Sequence, residues 1–217
     1  MKSFCILGLG RFGKTLALTL AQHGHQVLII DESSDDINAL ADAVTGAVVG
    51  DPTNEAVLRS AGVRDYDCAV VCGAKNINDN ILLTIILKDM GIPKVVVRAL
   101  NEGHKRVLER LGVDMVVFPE QDMGEKLAYM LGRENVIESL EVSGGFRIVE
   151  MKIPADWVGK SLIDLQLRLK HNVNVIAVRE SGTVMNCTPS PTRPFLRDDV
   201  VSIIGADADV DRMTSKK

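Results

Sequence analysis

Short apolar runs alternate with segments of helical periodicity through the first half of the chain. Runs rich in valine, isoleucine and leucine predict strands at 3–7, 27–30, 47–49, 68–72, 94–98 and 115–118. The segments between them predict helices. The first carries Leu16, Ala17 and Leu20, and the others lie at 35–41, in a short segment that ends at 61, at 76–90 and at 102–111. Buried apolar strands that alternate with helices are typical of parallel sheets covered on both faces. We therefore predict an α/β fold with a Rossmann-like parallel six-stranded sheet.

The pattern changes after Glu134. Alternating runs at 137–142 and 146–153 are separated by Ser143-Gly144-Gly145, which is typical of a hairpin. A small helix at 160–170 and short strands at 174–179, 183–186 and 199–204 are predicted to follow. We predict a nucleotide-binding N-terminal lobe with a crossover helix over 1–134, and a small α+β C-terminal lobe over 135–217.

The first strand runs into a glycine-rich turn, Gly8-Leu9-Gly10-Arg11-Phe12-Gly13. Gly8 permits the tight turn, Gly10 lets the backbone approach a pyrophosphate, and Gly13 lets the helix pack on the strand. The following helix offers free N–H groups and the positive end of its dipole to phosphate. Asp31 ends the next strand, about 20 residues on, where it accepts ribose hydroxyls. This order predicts a nucleotide site, and a merely structural turn is the alternative.

The helix predicted after Pro119 carries an apolar stripe of Met123, Leu127, Met130 and Leu131. Amphipathic helices usually pack on their own sheet, which is one explanation. Because both faces of the sheet are already covered, the other explanation is that this helix crosses to a partner subunit. The pattern favours neither.

Composition and charge restrict the function classes. The 217 residues are 46% hydrophobic and carry a formal net charge of −4, which gives no reason to expect binding of nucleic acid as a polymer. No apolar run reaches the roughly 18–20 residues that span a bilayer. The first residues form a core strand without a signal-peptide pattern, so we expect a cytoplasmic protein.

The four cysteines show no metal-ligand spacing. Cys68 and Cys72 lie in one predicted strand, about 13 Å apart, which is too far for a disulfide. Three of the four, including Cys5, are expected to be small core residues, which fits a reducing compartment.

Several charged residues near the expected cleft suit a phosphate ligand. Arg11 lies inside the glycine loop, Arg98 ends the fifth strand, and Glu120 follows the sixth. Glu120 is a candidate to hold a divalent cation or to pair with an arginine, and an ordinary strand-end charge is the alternative. Asp51 follows the third strand, near the expected adenine, and capping of the next helix is its alternative role.

The chain lacks recognisable catalytic chemistry. His23 and His25 flank a turn away from the ligand edge of the sheet, and His104 is expected to be a solvated helix position, with a place facing the cleft as the alternative. No nucleophile elbow, Walker A loop or metalloprotease helix appears. We therefore expect no enzyme, with an NAD-dependent oxidoreductase as the alternative.

Five segments together resemble the family that regulates K⁺ conductance, and in particular the regulatory subunits of Trk/Ktr-type potassium-uptake systems. They are the glycine loop, Gly50-Asp51-Pro52-Thr53, the segment Leu111 to Gly124, and two stretches of the second lobe, Trp157 to Leu162 and Asp199 to Gly205. The resemblance covers nearly the whole chain. It implies a gating subunit that binds ATP/ADP, and NAD(H) as a further candidate, rather than an enzyme.

The resemblance also implies site residues and partners. The implied nucleotide contacts are Gly8, Gly10, Arg11, Phe12, Gly13, Asp31, Asp51, Asn76, Arg98 and Glu120, with Glu120 near the terminal phosphates or a divalent cation. The implied partners are an integral-membrane K⁺ translocating subunit, at the inner face of the membrane, and further copies of this chain as a homodimer and an octameric ring. Relatives bind a cyclic dinucleotide at the second lobe, where Arg168 and Asn172 are candidates to meet an anion and Arg168 as a plain helix-end charge is the alternative.

Overall fold

The computed structural model describes residues 1–73, 76–180 and 184–215. Contacts divide the chain into two units, Met1–Pro119 and Glu120–Lys217. The sequence predicts this boundary at 134, where short alternating runs replace the α/β pattern. The structure groups the helix after Pro119 with the second unit, since Tyr129 and Met130 pack against its core.

The first unit alternates strands and helices in regular order. It contains β1 (Ser3–Leu7), α1 (Arg11–Gln22), β2 (Gln26–Asp31), α2 (Ser34–Leu40), β3 (Gly46–Val49), α3 (Glu55–Ser60), β4 (Cys68–Val71), α4 (Ile77–Asp89), β5 (Val95–Arg98), α5 (Glu102–Arg110) and β6 (Met115–Val117). All pairs are parallel and the strand order is β3-β2-β1-β4-β5-β6. This confirms the predicted six-stranded Rossmann-like sheet.

The apolar runs of the first unit fill two cores, one on each face of the sheet. Along β1, Cys5 and Leu7 enter one core while Ile6 enters the other. Successive side chains of a strand point to opposite faces, so a strand buried on both faces must be apolar throughout. Cys5, Cys68 and Cys72 are buried as free thiols, as predicted for small core residues.

The second unit is built on an antiparallel sheet. It contains α6 (Pro119–Leu131, beginning at the last residue of the first unit), β7 (Val136–Val142), β8 (Phe146–Lys152), α7 (Leu162–Leu165), α8 (Leu167–His171), β9 (Asn174–Arg179), β10 (Val200–Ala206) and α9 (Asp207–Thr214). The strand order is β7-β8-β10-β9, and the core includes Trp157, which packs against Phe195 with ring centroids 6.2 Å apart. This confirms the α+β C-terminal lobe.

Three details of the second unit differ from the sequence prediction. The single helix predicted at 160–170 is two short helices: a capping box between Ser161 and Asp164 starts α7, and Gln166, in the left-handed region at φ 49°, separates α7 from α8. The strand predicted at 183–186 begins outside the described residues, and its described part makes an isolated bridge from Asn186 to Val178. Helix α9 was not predicted, because its acidic sequence buries few apolar residues.

No described helix combines the length and the apolar character that a membrane span requires.

Candidate functional site

A cavity of about 480 Å³ opens in the first unit beside the carboxyl ends of β1, β2, β3 and β4. In open parallel sheets, ligands bind outside the carboxyl ends of the strands, where the strand order reverses. The order here reverses between β1 and β4. Four of the predicted site residues line the cavity: Gly8, Gly10, Asp31 and Asp51.

The glycines of the loop have separable roles. Gly8 has φ +91°, and a Cβ there would collide with the backbone of Gly73 at the end of β4. A Cβ on Gly13 would collide with the carbonyl oxygen of Gly8, so this glycine sets the close packing of α1 on the sheet. A Cβ on Gly10 would meet nothing within 4 Å. Gly10 therefore faces open space beside the cavity rather than another part of the protein.

The N-terminus of α1 lacks the side-chain cap that other helices of this unit possess. Side chains of Ser33, Asn54, Asn76 and Asn101 cap α2, α3, α4 and α5, respectively. Gly10 occupies the capping position of α1 without a side-chain hydrogen bond, and the first turn holds no acidic residue. The unpaired N–H groups and the positive end of the helix dipole at this position suit a phosphate.

Asp31 ends β2 and supports the glycine loop. Its Oδ2 accepts a hydrogen bond from the Leu9 backbone N–H at 2.6 Å, and its Oδ1 accepts from the Ser33 N–H at 2.8 Å. Each carboxylate oxygen has a further lone pair, so the group keeps acceptor capacity for a ribose hydroxyl.

Asp51 organises the turn after β3. Its Oδ1 accepts from the Thr53 backbone N–H at 2.8 Å and from the Thr53 hydroxyl at 2.6 Å. The alternative in which Asp51 caps the next helix is wrong, because Asn54 caps α3. Asp51 and Thr53 are therefore fixed together in the cavity wall.

The other predicted site residues do not line the cavity. Arg11 is the exposed first residue of α1, Phe12 packs in a core, and Asn76 caps α4. The Arg98 guanidinium donates to the Cys72 carbonyl at 3.3 Å, so it reaches the end of β4. Glu120 belongs to the second unit, on α6.

Six further residues that were not predicted as site residues also line the cavity: Leu9, Glu32, Pro52, Thr53, Gly73 and Asp79. Leu9, Glu32 and Pro52 are chain neighbours of predicted residues, and Thr53 lies two residues after Asp51. Gly73 follows a buried strand, the same signal that drew attention to Asp31 and Asp51. Asp79 lies three residues after the cap of α4, and only the fold brings that turn to the cavity.

His104 is buried rather than solvated, so the preferred prediction for this residue is wrong. It is 2% exposed, and its Nδ1 accepts from the Leu100 N–H at 3.2 Å. An Nδ1 that accepts requires the proton on Nε2, which has no hydrogen-bond partner among the described residues. Burial lowers the pKa of His104, which favours the neutral ring. Through this hydrogen bond, the His104 ring fixes the backbone of Leu100, just after β5.

The described residues include no cluster of protein ligands that would hold a cation by themselves. Nowhere in the described ranges do three histidine, cysteine, aspartate or glutamate side chains converge as ligands would. A divalent cation bound together with a nucleotide usually takes only one or two carboxylates beside phosphate oxygens, so Glu120 as its holder stays a prediction.

The second unit has a cavity of about 290 Å³ of different character. Its walls are mostly apolar side chains of α7, α8 and β9, including Ile163, Leu167 and Val175, with Arg168 as a charged member. Asn172, the other residue singled out in this region, lines a separate cavity of about 190 Å³ with Lys170 and His171.

Family models match both units. The TrkA-N domain model matches residues 4–119 and the TrkA-C domain model matches residues 147–217. The Ktr system potassium uptake protein C of Bacillus subtilis is 34% identical over 215 residues, which cover 99% of this chain and 97% of the relative. The Ktr system potassium uptake protein A of the same organism is 35% identical, covering 99% and 96%.

Solved structures share the fold. The GsuK channel superposes with a TM-score of 0.68 at 18% identity, covering 99% of this chain and 39% of the channel chain. A structure of the GsuK channel bound to NAD gives a TM-score of 0.67 at 18% identity, covering 99% and 40%. At 18% sequence identity, these similarities show a shared fold.

Proposed function

The chain belongs to the family defined by the TrkA-N and TrkA-C domains, and from this premise we propose that it is the nucleotide-binding regulatory subunit of a potassium-uptake system. The observation that carries the proposal is the cavity at the β1/β4 edge, which combines a glycine loop, an uncapped helix start and the Asp31 carboxylate. A nucleotide needs these three elements for its pyrophosphate and ribose.

The ligand of this cavity is an adenine nucleotide, with ATP, ADP and NAD(H) as candidates. Arg11, exposed at the start of α1, contributes attraction for a free terminal phosphate. Glu120 is the residue that the family resemblance assigns to the terminal phosphates or to a divalent cation beside them. A ligand shifts a conformational equilibrium only by the difference between its affinities for the two states. Nucleotides that differ in charge differ in these affinities, and they therefore regulate transport differently.

The partner is an integral-membrane K⁺ translocating subunit, so the chain acts at the cytoplasmic face of the membrane. The chain also assembles with itself, as a homodimer and within an octameric ring. On α6, Met123, Leu127 and Leu131 are exposed, whereas Met130 packs in the core. An exposed apolar stripe on a helix without a fully buried residue favours the second explanation of that stripe, burial against a partner copy.

The chain binds nucleotide without turning it over. The relatives that match over the full chain are potassium uptake proteins, and the family resemblance implies gating rather than turnover. Incubation with NAD(P)⁺ and a panel of alcohols and hydroxy acids is expected to give no absorbance from reduced cofactor. Turnover at about 1 s⁻¹ or faster would favour the oxidoreductase alternative.

The second lobe binds a further ligand, for which a cyclic dinucleotide is the candidate. Its apolar cavity offers Ile163 and Leu167 to a base and the Arg168 cation to a phosphate. Titration of the full chain with cyclic diadenosine monophosphate is expected to show binding that Arg168→Ala weakens and Arg110→Ala, at the end of α5 in the first unit, leaves unchanged. Equal affinities in the two variants would remove Arg168 from the site.

The proposed function is tested with the K⁺ translocating subunit of a Ktr system in liposomes. Addition of this chain with nucleotide is expected to change K⁺ flux, and Arg11→Ala is expected to weaken ATP binding more than NAD binding. The control is Lys14→Ala, since Lys14 lies on the same helix but is paired with Asp36 at 2.6 Å. A K⁺ flux that ignores both protein and nucleotide would contradict the proposal.

A further inference from the structure

Helix α6 is attached to the second unit by few side chains. None of its residues is fully buried, and its contacts with the core of the unit are made by Tyr129 and Met130. Met123, Leu127 and Leu131 are exposed and form the apolar stripe assigned above to a partner copy. The side chains that hold α6 therefore determine how this stripe is presented to another copy.

Two guanidinium groups contact the ring of Tyr129. The guanidinium carbon of Arg133, two residues after α6, is 3.6 Å from the ring centroid, and that of Arg147, on β8, is 4.2 Å from it. Cations at this distance are attracted by the negative face of an aromatic ring. We call the side chains of Tyr129, Arg133 and Arg147 the arginine clamp.

Both arginines of the clamp are bound to α9. Arg133 pairs with Asp211 at 2.8 Å, and its Nε donates to the buried Thr214 hydroxyl at 3.1 Å. Arg147 pairs with Asp207 at 3.1 Å. The side chains of Arg133 and Arg147 are only 20% and 17% exposed, so solvent screens these contacts less than it screens pairs at the surface. The clamp therefore joins α6 to α9.

Helix α9 also packs beside a residue of the apolar cavity of the second unit. A Cβ on Gly205, in β10, would lie 2.8 Å from Val173 Cγ1 and 3.2 Å from Val210 Cγ2, so these two valines lie close together over the glycine. Val173 lines the cavity, and Val210 is a buried residue of α9. Protein interiors have low compressibility and transmit strain, so a ligand that moves the cavity wall also displaces α9.

We propose that the arginine clamp couples the apolar cavity of the second unit to the apolar stripe of α6. A ligand in the cavity shifts Val173, the shift reaches α9, and the clamp transmits it to α6, which changes how the stripe meets a partner copy. Tyr129 and Arg133 are positioning residues, because neither is among the described residues that line the cavity. This proposal rests on the second-lobe ligand and the homodimer of the proposed function.

The test is hydrogen exchange of the full chain, measured by mass spectrometry on peptides of α6 and of α7–α8, with and without cyclic diadenosine monophosphate. In the wild-type chain, saturating ligand is expected to change the exchange rates of both regions by about threefold or more. Arg133→Met removes the guanidinium and keeps an apolar stem. It is expected to retain the ligand affinity and the response of α7–α8 but to lose the response of α6, because coupling between two sites is separate from affinity at one of them.

Three further variants separate the clamp from a general loss of stability. Tyr129→Phe keeps the ring and is expected to behave like the wild-type chain, whereas Tyr129→Leu is expected to resemble Arg133→Met. The matched control is Arg212→Ala, which removes a cation of α9 whose contacts lie within α9 itself. It is expected to retain the response of α6.

A response of α6 that persists in Arg133→Met, that is lost equally in Arg212→Ala, or that is missing in the ligand-bound wild-type chain would overturn the proposal. Absence of binding to the wild-type chain would instead refute the ligand that the proposed function assigns to the second lobe. The clamp is then tested in the ligand-free chain by a double-mutant cycle of Val173→Ala and Arg133→Met on the exchange of α6. Coupled sites give non-additive changes, and additive changes would overturn the proposal.

Discussion

The cavities of the two units are lined by different kinds of chemical group. In the first unit, backbone glycines and carboxylates at the ends of parallel strands line the cavity, and the adjacent helix start has no side-chain cap. In the second unit, apolar side chains of two short helices and an edge strand line the cavity, and the nearby helix start is closed by a capping box. The first arrangement suits phosphate and ribose, whereas the second suits an apolar or aromatic surface with one anionic group.

This difference also separates the two units in their sensitivity to substitution. A cavity formed by backbone loses its shape when a side chain enters the space between two segments of main chain. A unit with a small core depends on the few buried polar groups that its loops bring together. Two substitutions of large expected effect test these dependencies separately.

Gly8→Ala is expected to have the largest effect. The residue has φ +91° and its Cβ would collide with the Gly73 backbone, so strain and overpacking together cost about 3 kcal/mol or more. We expect the first unit to lose stability and nucleotide binding together, as measured by chemical denaturation and calorimetry.

Gly10→Ala is the matched control for that prediction. Its Cβ meets no protein atom within 4 Å, so the fold is expected to persist while nucleotide affinity falls. Equal loss of stability in the two variants would show that the loop is not organised by the contact between Gly8 and Gly73.

In the second unit, Arg193→Ala is expected to have the next largest effect. Asp199 is fully buried, and both its oxygens accept from the Arg193 guanidinium, at 2.6 and 3.2 Å. Removing the cation takes the Arg193 ion pair away from a buried carboxylate, which costs about 3 kcal/mol. Trp157, the only tryptophan of the chain, lies in this core, so its fluorescence during urea denaturation reports on the second unit.

The control is Arg212→Ala on α9, since its exposed guanidinium pairs with Asp209 one turn away at the surface of the helix. Surface pairs contribute little, so less than about 0.5 kcal/mol is expected. A Trp157 transition that moves equally in both variants would contradict the assigned importance of the buried carboxylate.

The sequence predicted the first unit better than the second, for physical reasons. Strands such as β2 are buried on both faces and therefore apolar throughout, and the glycine loop is contiguous in sequence. In the second unit, the left-handed backbone at Gln166 splits the predicted helix, and that residue type carries no signal for such a break. Helix α9 is acidic and buries only Val210, Met213 and Thr214, so its periodicity is weak.

Within the site, the sequence predicted those residues whose role depends on their place in a motif. Gly8, Gly10, Asp31 and Asp51 lie at a strand end or within three residues after one, and they line the cavity. Asp79 reaches the cavity through the packing of α4 against the sheet, which no local pattern encodes. His104 was misjudged because helix periodicity alone does not show that the ring turns back to accept the Leu100 N–H.

The smallest predicted effect concerns pH, and it applies to the first unit. Burial lowers the pKa of His104 below its unfolded value of about 6.5, so the unfolded chain binds a proton more readily than the folded one. The stability that depends on the neutral ring is therefore present above that value and falls as the pH drops through it.

His104→Asn retains an acceptor for the Leu100 N–H and is expected to flatten the dependence of stability on pH between pH 7 and 5. The control His23→Gln, at an exposed turn, is not expected to do so. Hydrogen exchange of β1 and β4 amides, corrected for the intrinsic effect of pH, measures this slope, and identical slopes in the wild-type chain and His104→Asn would show that the buried ring does not titrate in this range.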